Sequence, residues 1–413
     1  MQFPVIVLFL VFLLIAVRQV GRFRLRIWQI MTAGAVLVLA SGRIPAGRAL
    51  ESINFDVILF LFGMFVVGEA LEESGYLARL SFQIFRRAKS VDSLLILILF
   101  GMGFLSALLM NDTLAIIGTP VVLRLARRHR ISPKLLLLAL AFAITTGSVM
   151  SPIGNPQNLL IAIHSNMKNP FLTFFTRLFL PTAVNLFLAY SLLKYFYRDQ
   201  FHHDPLNHAD EPLRDPRLAR LSQVSLVLII LLIGVKILTF FLPVPFQFRL
   251  TYIALLSALP LILFSPKRFH LLKKIDWPTL IFFASMFILM QSVWDTGFFQ
   301  GIIKNLDLSI TNILVILVVS VVLSQLISNV PLVALYLPLL FQAGASTEQM
   351  VALAAGSTLA GNALILGAAS NVIIIQNAET KFQETLTFWE FMKVGVPFTI
   401  LNILVCWLFL YLI

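Results

Sequence analysis

The chain has 413 residues, 59% of them hydrophobic and 12% charged, with a formal net charge of +12 and a single cysteine. Many apolar runs near twenty residues make it a polytopic helical membrane protein and exclude one globular core. The Lys and Arg excess lies in short loops between these runs, as the positive-inside rule requires and nucleic-acid binding does not, and the lone Cys406 excludes disulfides and a cysteine metal site.

The first apolar run, Phe3 to Val17, has no basic region before it and no small-residue cleavage site after it. It reads as a first membrane helix and not as a signal peptide. Further runs fall at about 28–41, 56–72, 92–110, 114–126, 133–150, 159–166 and 172–195. The longest hydrophilic stretch, 198–222, reads as a cytoplasmic linker between halves 1–197 and 223–413. Apolar runs resume at about 223–241, 250–264, 277–294, 310–328, 331–342, 349–366, 371–378 and 388–412.

Several runs are too short to span. As helices, 114–126 would rise about 20 Å and 159–166 about 12 Å, against a hydrocarbon core of roughly 30 Å. Basic clusters Arg86-Arg87-Ala88-Lys89 and Arg127-Arg128-His129-Arg130 flank 92–126. With both clusters cytoplasmic, 92–126 is a re-entrant hairpin with its tip near Asn111-Asp112-Thr113. The same rule puts 18–26, 194–220 and 267–274 inside and both termini outside. A second hairpin, 310–342, then opens outside. Leu77 to Ala88 and Phe298 to Leu308 read as amphipathic segments at the interface before each hairpin.

Thr146 to Asn158 interrupts the helix 133–166 with Gly147, Pro152, Gly154 and Pro156. Helical bonding cannot run through those prolines, and lipid does not tolerate freed backbone groups unless protein or a polar cavity meets them. The same features return in 349–378, interrupted at Ala360 to Asn371. The halves align at Met64 to Gly75 with Met286 to Gly297, offset by 222 residues. Asn111 and Pro120 match Asn329 and Pro338 at 218, Gly147 matches Gly361 at 214, and Asn158 matches Asn371 at 213. The expected fold is therefore an all-α membrane protein of two inverted-topology repeats, each with a re-entrant hairpin and a discontinuous helix. Such repeats place a transport site between the interruptions, near the midplane.

The candidate site residues are Asn111, Asp112, Thr113, Ser151, Gly154, Asn155, Asn158, Ser328, Asn329, Asn362, Gly367, Ser370 and Asn371. Asn111, Asp112 and Thr113 also suit an N-cap for a helix beginning at Leu114. An intramembrane acid is costly, however, and functional by default. Its repeat mate lacks the acid, being Ser328-Asn329-Val330, so Asp112 is the candidate coupling group. Asn158 and Asn371 read as N-caps whose helix starts present free N–H groups to the pocket. Glu69 lies near a cytoplasmic helix end and suits an interfacial role as well as a coupling one. No pair of histidines stands at metal spacing, His202 and His203 lie in the linker and His164 near an outer loop, and there is no HExxH, phosphate-cradling loop or paired nucleophile and base. An enzyme is not expected, nor a metal centre or cofactor beyond a coupling proton or sodium ion. Sodium, if used, would sit near Asn111, Asn158, Asn329 and Asn371.

At Asn111-Asp112-Thr113 through Thr119-Pro120, and at Gly361 through Val372, the sequence resembles the ion transporter superfamily. The likeness extends through Ala378-Glu379 and Phe388-Trp389-Glu390-Phe391. It is nearest the branch of arsenite/antimonite permeases, the P protein, silicon efflux transporters and NhaD-type antiporters. Ser151 through Asn158 is nearer the dicarboxylate branch and generic anion permeases. The resemblance implies a homodimeric, elevator-type carrier with substrate and cation sites at both tips and both breaks. The expectation is proton-coupled efflux of a small inorganic oxyanion or its neutral hydroxy acid across a prokaryotic plasma membrane, with lipid as the only other partner. Sodium/proton antiport and sodium-coupled dicarboxylate symport are the alternatives.

Overall fold

The computed structural model describes residues 2–17, 19–20, 23–24, 27–165, 167–201, 213–241, 248–298 and 310–412. Helices α1 (Phe3–Val17) and α2 (Ile27–Ala40) are followed by a short α3 (Ala46–Ser52), which meets α4 (Phe55–Glu73) at 54°. Between α1 and α2 lies the one departure from an all-α chain among the described residues. Gln19–Val20 pairs antiparallel with Phe23–Arg24. Two residues a side suffice to satisfy backbone groups at a reversal too tight for a helix.

The amphipathic α5 (Tyr76–Phe85) buries Leu77, Ser81, Phe82 and Phe85 along one face. Its expected counterpart, Phe298 to Leu308, lies beyond Phe298 outside the described residues, as do His202 and His203 in the linker. Next come α6 (Val91–Leu97), a π-helical turn (Ile98–Met102) and α7 (Gly103–Leu108). The two-residue link Leu109-Met110 then leads into α8 (Asn111–His129). This helix is longer than its apolar run because its last turn carries Arg127, Arg128 and His129, charges suited to a helix C-terminus.

The chain continues through α9 (Pro133–Ser148), α10 (Pro156–His164) and α11 (Pro170–Phe196). After the linker come α12 (Pro216–Phe241), α13 (Leu250–Phe264), the basic α14 (Arg268–Lys274) and α15 (Trp277–Trp294). Then follow α16 (Ile313–Ile327), α17 (Asn329–Gln342) and α18 (Thr347–Leu359). Two 3₁₀ turns, Ala360–Asn362 and Ile365–Gly367, lead to α19 (Ala369–Phe382) and α20 (Phe388–Leu412). Five described helices are long and apolar enough to cross a membrane, and a sixth if α3 and α4 form one bent span. The protein is an integral multi-pass membrane protein.

Within lipid, helices associate through packing and small residues more than through apolar burial. Gly147 shows this. A Cβ there would lie 2.2 Å from the Gly103 carbonyl oxygen, so α7 and α9 touch backbone to backbone. Gly356 does the same on α18, where a Cβ would meet Ser320 Cβ at 2.9 Å and Leu317 Cα at 3.1 Å on α16. From Leu135 to Ser148, α9 is wholly buried. Phe142 packs with its ring centroid 5.6 Å from Phe391 and 4.7 Å from Phe398, holding α9 to α20.

Candidate functional site: a cavity at four helix starts

A cavity of about 510 Å³ lies where the starts of α8, α10, α17 and α19 meet. Asn111 and Asp112 enter from α8, Pro156 and Gln157 from α10, Ser328, Asn329 and Val330 from α17, and Ala368, Ala369, Ser370 and Gln376 from α19. Trp28 of α2 and Pro278, Thr279, Phe282 and Phe283 at the start of α15 close the remaining wall. Each converging helix start directs the partial positive charge of its helix inward. Asp112 is the one ionisable side chain in the lining, which contains no Lys, Arg or His.

The first break is knitted by amides. Asn155 caps α10, its Oδ1 accepting from the Asn158 amide N–H at 2.8 Å, so Asn155 and not Asn158 holds the N-cap. Asn158 sits one turn in and instead donates Nδ2 to the carbonyls of Ser148 (3.1 Å) and Ser151 (3.0 Å). Those carbonyls lost helical donors at the proline break, and a buried carbonyl must find one. Thr358 of α18 donates to Asn158 Oδ1 at 3.0 Å and accepts from Asn155 Nδ2 at 3.2 Å. The hairpin joins here too, since the Asn111 N–H donates to the Gly154 carbonyl at 3.2 Å.

The second break is held more sparsely. Asn371 Nδ2 donates to the Gly361 carbonyl at 2.7 Å, and Gln325 Nε2 to that of Ala360 at 2.8 Å. Asn362 Nδ2 reaches across to Thr146 Oγ1 at 3.0 Å. Asn371 is likewise no N-cap, a position held by Ala368, which makes no side-chain cap bond. Five buried oxygens here lack partners among the described residues: Gln325 Oε1, Asn329 Oδ1, Asn362 Oδ1, Ser370 Oγ and Asn371 Oδ1. Asn329 and Ser370 also line the cavity.

Of the sequence-derived candidates, Asn111, Asp112, Ser328, Asn329 and Ser370 thus face the cavity. Asn155, Asn158, Asn362 and Asn371 lie buried behind it as framework. The Gly154 carbonyl accepts the Asn111 amide, and Ser151 supplies a carbonyl to Asn158 and its Oγ to the Ile153 N–H. Gly367 packs where a Cβ would meet the Ala360 carbonyl oxygen and Gln325 Oε1, each at 2.8 Å. Thr113 turns away onto α4, where its Oγ1 would lie 2.7 Å from a Cβ at Gly68. The capping reading of the tip fails: α8 begins at Asn111, and its N-cap Met110 makes no side-chain bond. Asp112 is not spent on a cap.

Gln157, Thr279, Trp28, Gln376 and Thr358 were not singled out from sequence. For Thr358 a signal existed, because its repeat counterpart at the 214 offset is the apolar Ile144. Glu69 lies outside the cavity lining, 3.9 Å from Lys274, which holds Glu73 at 2.7 Å.

Broken helices and hairpin tips around one polar cavity in a membrane define a transporter. The family model described as citrate transporter (CitMHS) matches residues 7–354, and the chain belongs to that family, within the ion transporter superfamily. It is 27% identical to a 46 kDa membrane protein of Mycobacterium leprae, covering 87% of this chain and 86% of that one. It is 26% identical to the silicon efflux transporter LSI3 of Oryza sativa, covering 89% and 88%. The P protein of Sus scrofa is 23% identical over 91% of this chain, which spans 55% of that larger protein. Among solved structures, the YdaH transporter of Alcanivorax borkumensis shares the fold, with a TM-score of 0.61 at 15% identity over 99% of this chain.

Proposed function

We propose that the protein is a secondary active transporter that exports a small inorganic oxyanion, or its neutral hydroxy acid, against entering protons. The observation that carries this reading is the cavity itself, where four helix starts converge on a lining whose single ionisable group is Asp112. Helix starts attract oxyanions and hydrogen-bond to hydroxy acids alike. The volume of about 510 Å³ suits a small-molecule site. Asp112, partly exposed to the cavity, is placed to exchange a proton with it. Paired breaks and tips favour two inverted repeats whose tips and broken helices move past the α2 and α15 wall by an elevator-type step, and the reading extends to a homodimer in a prokaryotic plasma membrane with both termini outside.

A second reading is transport of a carboxylate. The citrate transporter description of the family favours it. With no Lys or Arg in the lining, a multiply charged carboxylate would need a co-bound cation, and Asn329 Oδ1 and Ser370 Oγ are oxygens free to help hold one. Proteoliposomes test both readings. Flux of arsenite, silicate, sulfate, citrate and sodium is measured under imposed proton or sodium gradients. Proton-driven arsenite or silicate flux is the expected result. Citrate flux dependent on added cation supports the second reading, and sodium movement with no oxyanion needed overturns both in favour of an antiporter.

A further inference from the structure

A second cavity, of about 450 Å³, lies between α10, α15 and α17 at the ends opposite those that form the first, with α3 beside it. Helix α10 joins the two. Its first residues, Pro156 and Gln157, line one cavity, and its last, His164, lines the other. The helix is nine residues long, which puts its ends about 12 Å apart.

His164 is fastened at both ring nitrogens. Nδ1 lies 2.9 Å from the Leu160 carbonyl oxygen, which can only accept, so Nδ1 carries the hydrogen. Nε2 lies 3.0 Å from Asn54 Nδ2, which can only donate, so Nε2 offers its lone pair. Only the neutral imidazole with its hydrogen on Nδ1 satisfies both bonds. Asn54 cannot adapt by turning its amide over, because its Oδ1 caps α4 by accepting from the Val57 N–H at 3.0 Å. A flip would set an NH₂ group against that N–H and forfeit the cap.

We infer that His164 is a proton-binding site in the second cavity, and that protonation there unfastens α10 from the start of α4. A proton on Nε2 meets the Asn54 NH₂ donor head-on, and the bond becomes a repulsion. Imidazole is the side chain that ordinarily changes charge between pH 5 and 8. The surroundings leave this proton to His164. Its polar cavity neighbours Ser52, Gln291 and Gln342 do not titrate in that range. Arg48 of α3 is bonded to Asp295 at the end of α15 (2.7 Å), and Asp56 of α4 to Arg249 (3.1 Å). Of the other charged side chains on the segments around α10, Glu348 at the start of α18 is bonded to Arg177 of α11 (2.9 Å), Glu69, Glu72 and Glu73 stand at the far end of α4, Glu51 lies on α3 and Lys168 follows α10, and α17 carries none. Because α10 also lines the first cavity, a proton on one side of the protein bears on the site at the other. That consequence rests on the carrier reading, whereas the latch does not.

The test reads the latch without any substrate. Ser52→Cys lines the second cavity, and Gly47→Cys on the same helix sits in open space as a control for thiol ionisation. Each is labelled in proteoliposomes with an impermeant maleimide, with Cys406 buried and silent. The ratio of Ser52→Cys to Gly47→Cys labelling rates is expected to rise several-fold from pH 7.5 to 5.5. It should be flat in His164→Gln, which keeps an acceptor and cannot titrate. In Asn54→Asp, which still caps α4 but holds the protonated ring, the dependence should reverse. A pH-independent ratio in the parent, an undiminished rise in His164→Gln, or the absence of reversal in Asn54→Asp each overturns the inference. Failure of the carrier reading would appear in the flux measurements and leave these labelling results untouched.

Discussion

The two broken helices carry matching residues, Gly147 with Gly361 and Asn158 with Asn371, and are finished differently. In the first, Asn155, Asn158 and Thr358 satisfy one another and the freed carbonyls. In the second, Asn362, Ser370 and Asn371 keep oxygens without partners among the described residues. The tips differ as well. Met110 precedes α8 in relaxed extended backbone, with φ −67° and ψ 140°, and Asp112 follows it. Ser328 precedes α17 at φ 73° and ψ 157°, a region that normally belongs to glycine, and no acid follows. A closed break can serve as a rigid reference. An open break beside a strained tip retains buried oxygens without partners among the described residues.

Making the tips alike should have the largest effect. Asp112→Asn removes the acid that the second tip lacks while leaving Asn111, the mate of Asn329, in place, and gradient-driven flux is expected to fall to the liposome background. The purified variant should keep the parent melting temperature. Unchanged gradient-driven flux would show that the acid does not couple.

Gly147→Val attacks the closed break. Its Cβ would press on the Gly103 backbone at 2.2 Å, separating α7 from α9 at a cost of about 3 kcal/mol or more. Loss of the monodisperse chromatographic peak, or a large fall in melting temperature, is the expected reading. Thr358→Val is milder. It leaves the Asn158 acceptor and an Asn155 donor unmet, at roughly 1–3 kcal/mol. The comparison predicts a larger melting shift for Thr358→Val than for Ser370→Ala, whose hydroxyl makes no bond among the described residues. Equal shifts would erase the distinction between closed and open breaks.

Ser328→Gly tests the strained tip, and relief of the backbone should raise stability by about 1 kcal/mol, within the range for such conformations. A lower melting temperature would show that Ser328 is held by bonds rather than by strain. The smallest effect lies outside both breaks. The Leu218 N–H, bonded at 3.0 Å, and Lys267, at 2.9 Å, hold the Asp215 carboxyl below its ordinary range. A depressed folded-state value contributes stability above the unfolded carboxyl pKa of about 3.9, and that contribution disappears as pH falls through the folded value. Asp215→Asn should therefore lower the melting temperature at pH 7 and converge with the parent in acid.

Much of this was legible from residues alone. Apolar runs with charge-poor loops determine a multi-pass helical protein, because lipid demands that each spanning segment satisfy its own backbone. The prolines and glycines at 147–156 determine a break, since the helix backbone itself cannot supply the donors that proline lacks. The repeat offsets bring Asn111, Asn329, Asn158 and Asn371 forward as a set, and Asp112 as the one acid without a mate. Only the tertiary structure decided which of them face the cavity. Asn158 and Asn371 look like caps in sequence because asparagine favours caps, but their amides turn inward to carbonyls some ten residues away in the chain. Gln157 and Thr279 carry no local signal strong enough to single them out, since a polar side chain on a buried helix acquires its meaning from the helix opposite. The two-residue ladder before α2 and the strain at Ser328 are likewise set by where the chain must turn. Local chemistry determines which backbone groups will need partners, and packing decides which side chains supply them and which remain free to bind.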